Sequence, residues 1–240
     1  MREIIQEDPK RIKIGIDKTD AFQKKEEASV FSEKVSCGLT KAHDLFCQMA
    51  TPVAVVKAIT YPQFQTIYLG QGRNEPRTPL NDIMSSEAVY FLFAMTLGSG
   101  VSTQISNLFS EGDYLLGHLF DLVCSAGIEA FADDITNRYF TREVSRETLS
   151  DSDVMLRYSP GYCGWHITAQ KMLHENLQSS DIGITLTEAF YMKPMKSISG
   201  VIIGCNPSMH DFNNNYPFCD TCRTKTCRKR VVVNGIWKKS

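Results

Sequence analysis

The sequence predicts an α+β domain. Segments with strand character and segments with helical periodicity both occur, but they do not alternate regularly, which disfavours a doubly wound parallel sheet. The 240 residues, 42% hydrophobic and 22% charged, suit one large folded domain with an accessory segment. Composition divides the chain into a charged N-terminal arm (1–24), a main α+β domain (25–205) and a Cys-rich basic segment (206–240) expected to pack on the same domain.

Taken in order, Ile12–Ile16 reads as a strand-like arm followed by a polar loop. From Glu26 to Met49 apolar residues recur at helical spacing, at Val30, Phe31, Val35, Leu39, Ala42, Leu45 and Phe46. VAVVKAI (53–59) and FQTIYL (64–69) are β-rich and flank a Tyr-Pro pair, so they read as a strand pair. Residues 70–82 carry Gly, Pro and Asn and read as loop. EAVYFLFAMTLG (87–98) is nearly continuous apolar sequence and fits a strand buried on both faces. Gly98-Ser99-Gly100 ends it. Helical patterning follows through Ile105, Leu108 and Phe109, then from Tyr114 to about Tyr139. A polar segment (141–153), a short strand MLRY (155–158), a tight turn and a helix from about Ile167 to Leu177 come next. IGITLT (182–187) and SISGVIIGC (197–205) read as strands joined by a loop, and RVVVNGIW (230–237) as a last strand.

A net charge of −1 gives no field that would draw in nucleic acid or a membrane surface. The first eighteen residues are charged throughout, without an apolar core of signal length. The run AVYFLFAMTLG (88–98) is too short to span a bilayer. A cytoplasmic protein is expected. In a reducing compartment, eight cysteines point away from disulfides and towards metal or redox chemistry.

Four features carry candidate chemistry. Gly98-Ser99-Gly100 precedes a helix, but position 103 is Thr, so the dinucleotide spacing is absent and a structural turn is the better reading. Glu129 sits within the apolar helical stretch SAGIEAFAD, either as an exposed position on an amphipathic helix or as an anion awaiting a cation. Arg157 leads into Ser159-Pro160-Gly161-Tyr162, a rigid turn that can present backbone groups. Its guanidinium either makes an ordinary salt bridge or grips the carboxylate of a small molecule. Cys219-x-x-Cys222-x-x-x-x-Cys227 has metal-ligand spacing at its first two positions, with Cys205, Cys163 or His210 as a fourth ligand; the alternative is a basic tail with reduced cysteines. Nearby Arg and Lys residues would lower the thiol pKa values.

Three blocks in this order, TLGSGVSTQISNLFSEGDYLLGHLFDLVCSAGIEAFAD (96–133), RYSPGYCGWH (157–166) and IGITLTEAFYMKPMKSISGVI (182–202), resemble the activation (reactivation) domain of cobalamin-dependent methionine synthase, and more closely its stand-alone homologues. The resemblance covers about residues 85–205. It implies a mixed, largely antiparallel twisted sheet with flanking helices. It also implies binding of S-adenosylmethionine, in the service of reductive methylation of cob(II)alamin. By resemblance, Arg157 holds the methionyl carboxylate, backbone around Ser159 and Gly161 and the side of Tyr162 contact the ligand, and Glu129 faces its positive end. The SISG block would support the site.

The sequence departs from the family at Cys163-Gly164-Trp165-His166, in the absence of a recognisable N-terminal acidic contact, and in its C-terminal cysteines. No D-x-H-x-x-G motif occurs, so the cobalamin would be carried by a partner, a corrinoid-binding protein or methionine synthase modules. An electron donor such as flavodoxin or ferredoxin is implied. The cysteines Cys205, Cys219, Cys222 and Cys227 would then hold an iron–sulfur cluster feeding the electron to cobalt, or zinc. Two other classes stay open: a non-catalytic docking or assembly module for a corrinoid protein, and a zinc-bearing enzyme unrelated to methyl transfer.

Overall fold

The computed structural model describes residues 1–15, 29–210 and 216. A five-stranded sheet is built from β1 (Arg2–Gln6), β2 (Val53–Ile59), β3 (Val89–Thr96), β4 (Val154–Tyr158) and, last in the chain, β7 (Ser197–Cys205). Its order is β1-β2-β3-β7-β4, and all four neighbouring pairs are antiparallel. The α+β expectation and its largely antiparallel sheet are met. A small hairpin, β5 (Thr185–Leu186) with β6 (Met192–Lys193), stands apart from the main sheet.

The helices cover both faces. On one side lie α1 (Ser29–Met49), α4 (Ser99–Ser110) and α5 (Tyr114–Ser145). On the other lie α2 (Tyr61–Leu69), α3 (Pro79–Ile83) and α6 (Ala169–Leu177). Strand alternation explains why β3 reads as unbroken apolar sequence. Phe91, Phe93 and Met95 point into the first core, and Tyr90, Leu92 and Ala94 into the second. Leu92, Phe93 and Met95 are fully buried, each worth about 1.5–3 kcal/mol of transfer free energy.

Several sequence expectations are corrected. FQTIYL (64–69) is not a strand but the body of α2. Thr60 caps it, its hydroxyl accepting from the Gln63 N–H while the Gln63 side chain accepts from the Thr60 N–H, and Pro62 sits in the first turn. Phe64, Ile67 and Tyr68 then form a helical face buried in the second core, and this packing outweighs β-propensity. The N-terminal strand is Arg2–Gln6, and residues 12–15 of the strand expected at 12–16 are not strand, its last residue lying outside the described residues; a 3₁₀ turn at Pro9–Arg11, started by Pro9 and capped by Asp8, follows β1. The loop at 70–82 gives way to α3 from Pro79, and the segment expected as polar from 141 is helical to Ser145. Of 182–187 only Thr185–Leu186 is strand, preceded by a 3₁₀ turn at Ser179–Ile182. The strand expected at 230–237 lies outside the described residues.

Helix α5 is long and apolar enough to cross a membrane by length and composition, but half of its apolar window is buried within the fold. Leu119, Phe120, Val123, Phe131 and Ile135 account for much of that burial. It is the central helix of the first core.

Candidate functional site

The site is built where β4 ends. Alternation along β4 sends Met155 into the first core, beneath α5, and Tyr158 towards the second. Arg157 shares the face of Met155 and meets α5. Its Nη2 lies 2.8 Å from Asp133 Oδ1 and 3.2 Å from Glu129 Oε2, and its Nη1 donates to Thr136 Oγ1 at 3.1 Å. The Arg157 side chain is 9% exposed, against 49% for Glu129 and 67% for Asp133. Two residues singled out separately in the sequence, 28 positions apart, are therefore in contact. Glu129 lies at the exposed edge of α5, and the cation it meets is Arg157.

Reading along α5, Asp121, Ser125, Glu129 and Asp133 recur every four residues and share one face of the helix. The upper end of this polar stripe holds a second cation. Lys196 Nζ lies 2.7 Å from Asp121 Oδ1 and donates to Ser125 Oγ at 2.8 Å. Lys196 immediately precedes β7, so the stripe faces the end of β4 and the start of β7 together. Sequence reasoning missed Asp121, Asp133 and Lys196. The four-residue spacing was the available signal, hidden among the apolar residues of the same helix.

The turn after Arg157 is tightly determined. Gly161 N–H donates to the Trp165 carbonyl at 2.7 Å, and Trp165 N–H to the Tyr162 carbonyl at 3.0 Å. Gly161, Cys163 and Gly164 all take positive φ, at 92°, 52° and 74°. Asn74 Oδ1 accepts from the His166 N–H at 2.9 Å, and the Glu75 N–H donates to the Gly164 carbonyl at 3.0 Å, which ties the turn to the loop before α3. Trp165 is the bolt. Its ring is buried in the second core, edge-on to Phe64 at 5.8 Å between centroids. Tyr162, by contrast, is half exposed at the surface of the turn. From β7, Gly200 lets the strands close: a Cβ there would run into the Tyr158 carbonyl and sit 3.0 Å from Ser159 Oγ. The SISG block thus supports the turn through its glycine.

The glycines at 98–100 are structural. Gly98 N–H donates to Thr96 Oγ1 at 3.1 Å, its φ is 84°, and a Cβ added there would run into Thr51 Oγ1.

Of the metal candidates, Cys219, Cys222 and Cys227 lie outside the described residues. Cys205 and His210 are both buried, with Cys205 Sγ 3.2 Å from His210 Nε2. Burial pushes the Cys205 thiol up to about 12 and the His210 imidazole down to about 4. Cys163 stays in the turn after β4. Among the described residues no group of three or more potential ligands is assembled. A cleft of about 540 Å³ lies elsewhere, bordered by Ile59, Tyr61, Tyr90, Arg142 and Arg146. Both arginines there are already paired, with Glu3 and Glu143.

Fold and cluster together define an α+β domain that carries, at one end of an antiparallel sheet, two cations held by the acidic stripe of a core helix beside a rigid turn. The chain belongs to the family described as vitamin B12 dependent methionine synthase, activation domain, whose model matches residues 55–218. Among solved structures it is similar to the MetH reactivation domain bound to AdoHcy, with a TM-score of 0.61 and 15% sequence identity, over 90% of this chain and 80% of that one. That likeness shows the shared fold. A comparison of the sequence with curated proteins finds no match.

Proposed function

We propose that the chain binds S-adenosylmethionine at the Arg157–His166 turn and presents its methyl group to a corrinoid carried by a partner protein, as the reactivation component of a cobalamin-dependent methionine synthase or a related corrinoid methyltransferase. The observation that carries this reading is the Arg157 guanidinium, seated at the root of a rigid turn and facing the carboxylates of α5. A guanidinium fork matches the ligand carboxylate, and a nearby carboxylate suits the sulfonium at the other end. The bound ligand supplies the methyl group; the protein supplies position and charge.

In this reading Arg157 grips the carboxylate end, backbone of Ser159 and Gly161 lines the ligand, and half-exposed Tyr162 flanks it. Glu129 turns towards the sulfonium. The fork imposes a condition: either planar edge of the guanidinium that can take a carboxylate bidentately includes Nη2, and Nη2 already faces both Asp133 and Glu129. Ligand entry therefore requires at least one of the two carboxylates to yield. The corrinoid partner, and a flavodoxin- or ferredoxin-like electron donor, complete the reaction from outside.

Calorimetry of the full chain with S-adenosylmethionine and with AdoHcy tests the proposal. Binding that disappears in Arg157→Ala supports it. The internal pairing of Arg157 gives weight to a second reading, a docking module for a corrinoid protein in which the arginine only fastens β4 to α5. Absence of binding at millimolar ligand, with Arg157→Ala merely less stable, would select that reading.

A further inference from the structure

The cleft where β2 ends and β3 begins shares no residue with the Arg157 turn. Tyr61 and Pro62, in the first turn of α2, border it, as do Arg142 and Arg146 at the end of α5. Most of the remaining lining is apolar, including Ile59, Ala88, Val89 and Phe91. Its volume of about 540 Å³ lies within the range of small-molecule pockets, about 300–1,000 Å³.

Glu143 organises the polar side of the cleft. Its side chain is 7% exposed, and its Oε1 accepts from Arg142 Nε at 3.2 Å and from Arg146 Nη1 at 3.3 Å. Its Oε2 accepts from Thr148 Oγ1 at 2.8 Å. Arg142 is held further: its Nη1 donates to Glu3 at 2.9 Å, and its guanidinium lies over the Tyr139 ring, 3.9 Å from the centroid. A buried carboxylate that fixes guanidiniums beside an apolar cleft is the kind of support a binding site needs.

The two arginines differ in what they have left to offer. Arg142 is engaged through both Nε and Nη1. Arg146 is engaged through Nη1 alone, so its Nε–Nη2 edge makes no hydrogen bond among the described residues. That edge presents two parallel N–H donors and no acceptor, the match for a planar carboxylate. Arg157 lacks such an edge, because Nη2 is occupied there. The apolar walls require the rest of the molecule to be apolar, since a second charge buried against them would be costly.

We propose that this cleft is a second ligand site, for a small monocarboxylate with an apolar body. The carboxylate takes the Nε–Nη2 edge of Arg146, and the body packs against Ile59, Tyr61 and Phe91. Glu143 is a positioning residue that holds both guanidiniums at the cleft. The inference does not depend on S-adenosylmethionine binding.

The test uses the full chain, labelled with ¹⁵N, and three probes: indole-3-acetate, phenylacetate and octanoate, each paired with its uncharged amide. At least one carboxylate should give saturable shifts at the amides of Tyr61, Val89 and Phe91. Its amide should bind about fivefold more weakly, the worth of a partly exposed charge contact. Arg146→Gln should weaken the carboxylate by the same factor and leave the amide unchanged, a charge-specific readout that a merely structural arginine would not give. Ser86→Trp, at the exposed rim of the cleft, should weaken both. Far-ultraviolet circular dichroism checks that each variant folds. The proposal is overturned if no carboxylate binds at millimolar concentration, if acid and amide bind equally, or if binding survives Arg146→Gln intact and is lost in Arg157→Ala.

Discussion

Arg157 Nη2 and Asp133 Oδ1 stand 2.8 Å apart, closer than the 3.2 Å between the same nitrogen and Glu129. The two carboxylates are then expected to act in opposite directions on ligand binding. Asp133 competes with an incoming carboxylate for the guanidinium, whereas Glu129 also answers the positive end of the ligand. Asp133→Asn should tighten S-adenosylmethionine binding about fivefold and Glu129→Gln should weaken it by a similar factor, since half-exposed pairs are worth about 1 kcal/mol or less. Titration calorimetry of both variants measures the signs. Equal weakening in both would mean that Asp133 orients Arg157 and does not compete for it.

Gly200 tests whether strand closure positions the turn. A methyl group there meets the Tyr158 carbonyl, which is backbone and has no rotamer to escape into. Gly200→Ala should cost about 1–3 kcal/mol, lowering Tm by several degrees for a chain of this size. It should also weaken ligand binding, because Arg157 and Ser159 flank the displaced carbonyl. A thermal melt and a calorimetric titration on the same sample read both effects. Lower stability with unchanged affinity would separate the strand pairing from the site.

The legible parts of the sequence were those whose period matched one environment. β3 and β7 are buried on both faces, so continuous apolar residues announced them. Residues 64–69 were misread because Phe, Ile and Tyr suit a strand by composition, while the capping pair Thr60 and Gln63 set a helix whose face packs on Trp165 and Tyr90. At the site, Arg157 and Glu129 were each visible as a charge in an unusual setting. Their contact was not, because it depends on which face of β4 meets which edge of α5. Asp133 and Lys196 look like ordinary surface charges until that packing is known. The departure Cys163-Gly164-Trp165-His166 had no sequence-level explanation; in the fold its tryptophan anchors the turn to the second core.

That tryptophan combines full burial with an Nε1–H that finds no acceptor among the described residues. An unsatisfied buried donor is costly, so much of the value of Trp165 lies in its ring. Trp165→Phe should cost less than about 1.5 kcal/mol, as the smaller ring loses area but also removes the orphaned N–H. Trp165→Ala should cost about 3–5 kcal/mol and loosen the Arg157–His166 turn. Urea midpoints of the two variants give the comparison. A Phe variant as unstable as the Ala variant would reveal a hydrogen bond at Nε1.

His174 sets a pH dependence separate from the ligand site. It is buried on α6, its Nδ1 2.6 Å from Ser179 Oγ and its Nε2 3.3 Å from Ser199 Oγ, and Ser199 Oγ in turn donates to Gln170 Oε1 at 2.7 Å. Its nearest polar partners are hydroxyls, and desolvation pushes the imidazole from 6.5 down to about 4. The native state therefore refuses a proton that the unfolded chain accepts. The stability contributed by neutral His174 is complete above about pH 6.5 and is lost progressively as pH falls to about 4, by at most roughly 3 kcal/mol. His174→Gln cannot titrate, so its stability should decline less over that interval even if it starts lower at pH 7.5. Urea denaturation of both proteins between pH 7.5 and 4.5 gives the difference directly. Parallel decline in the two would place the titrating group elsewhere.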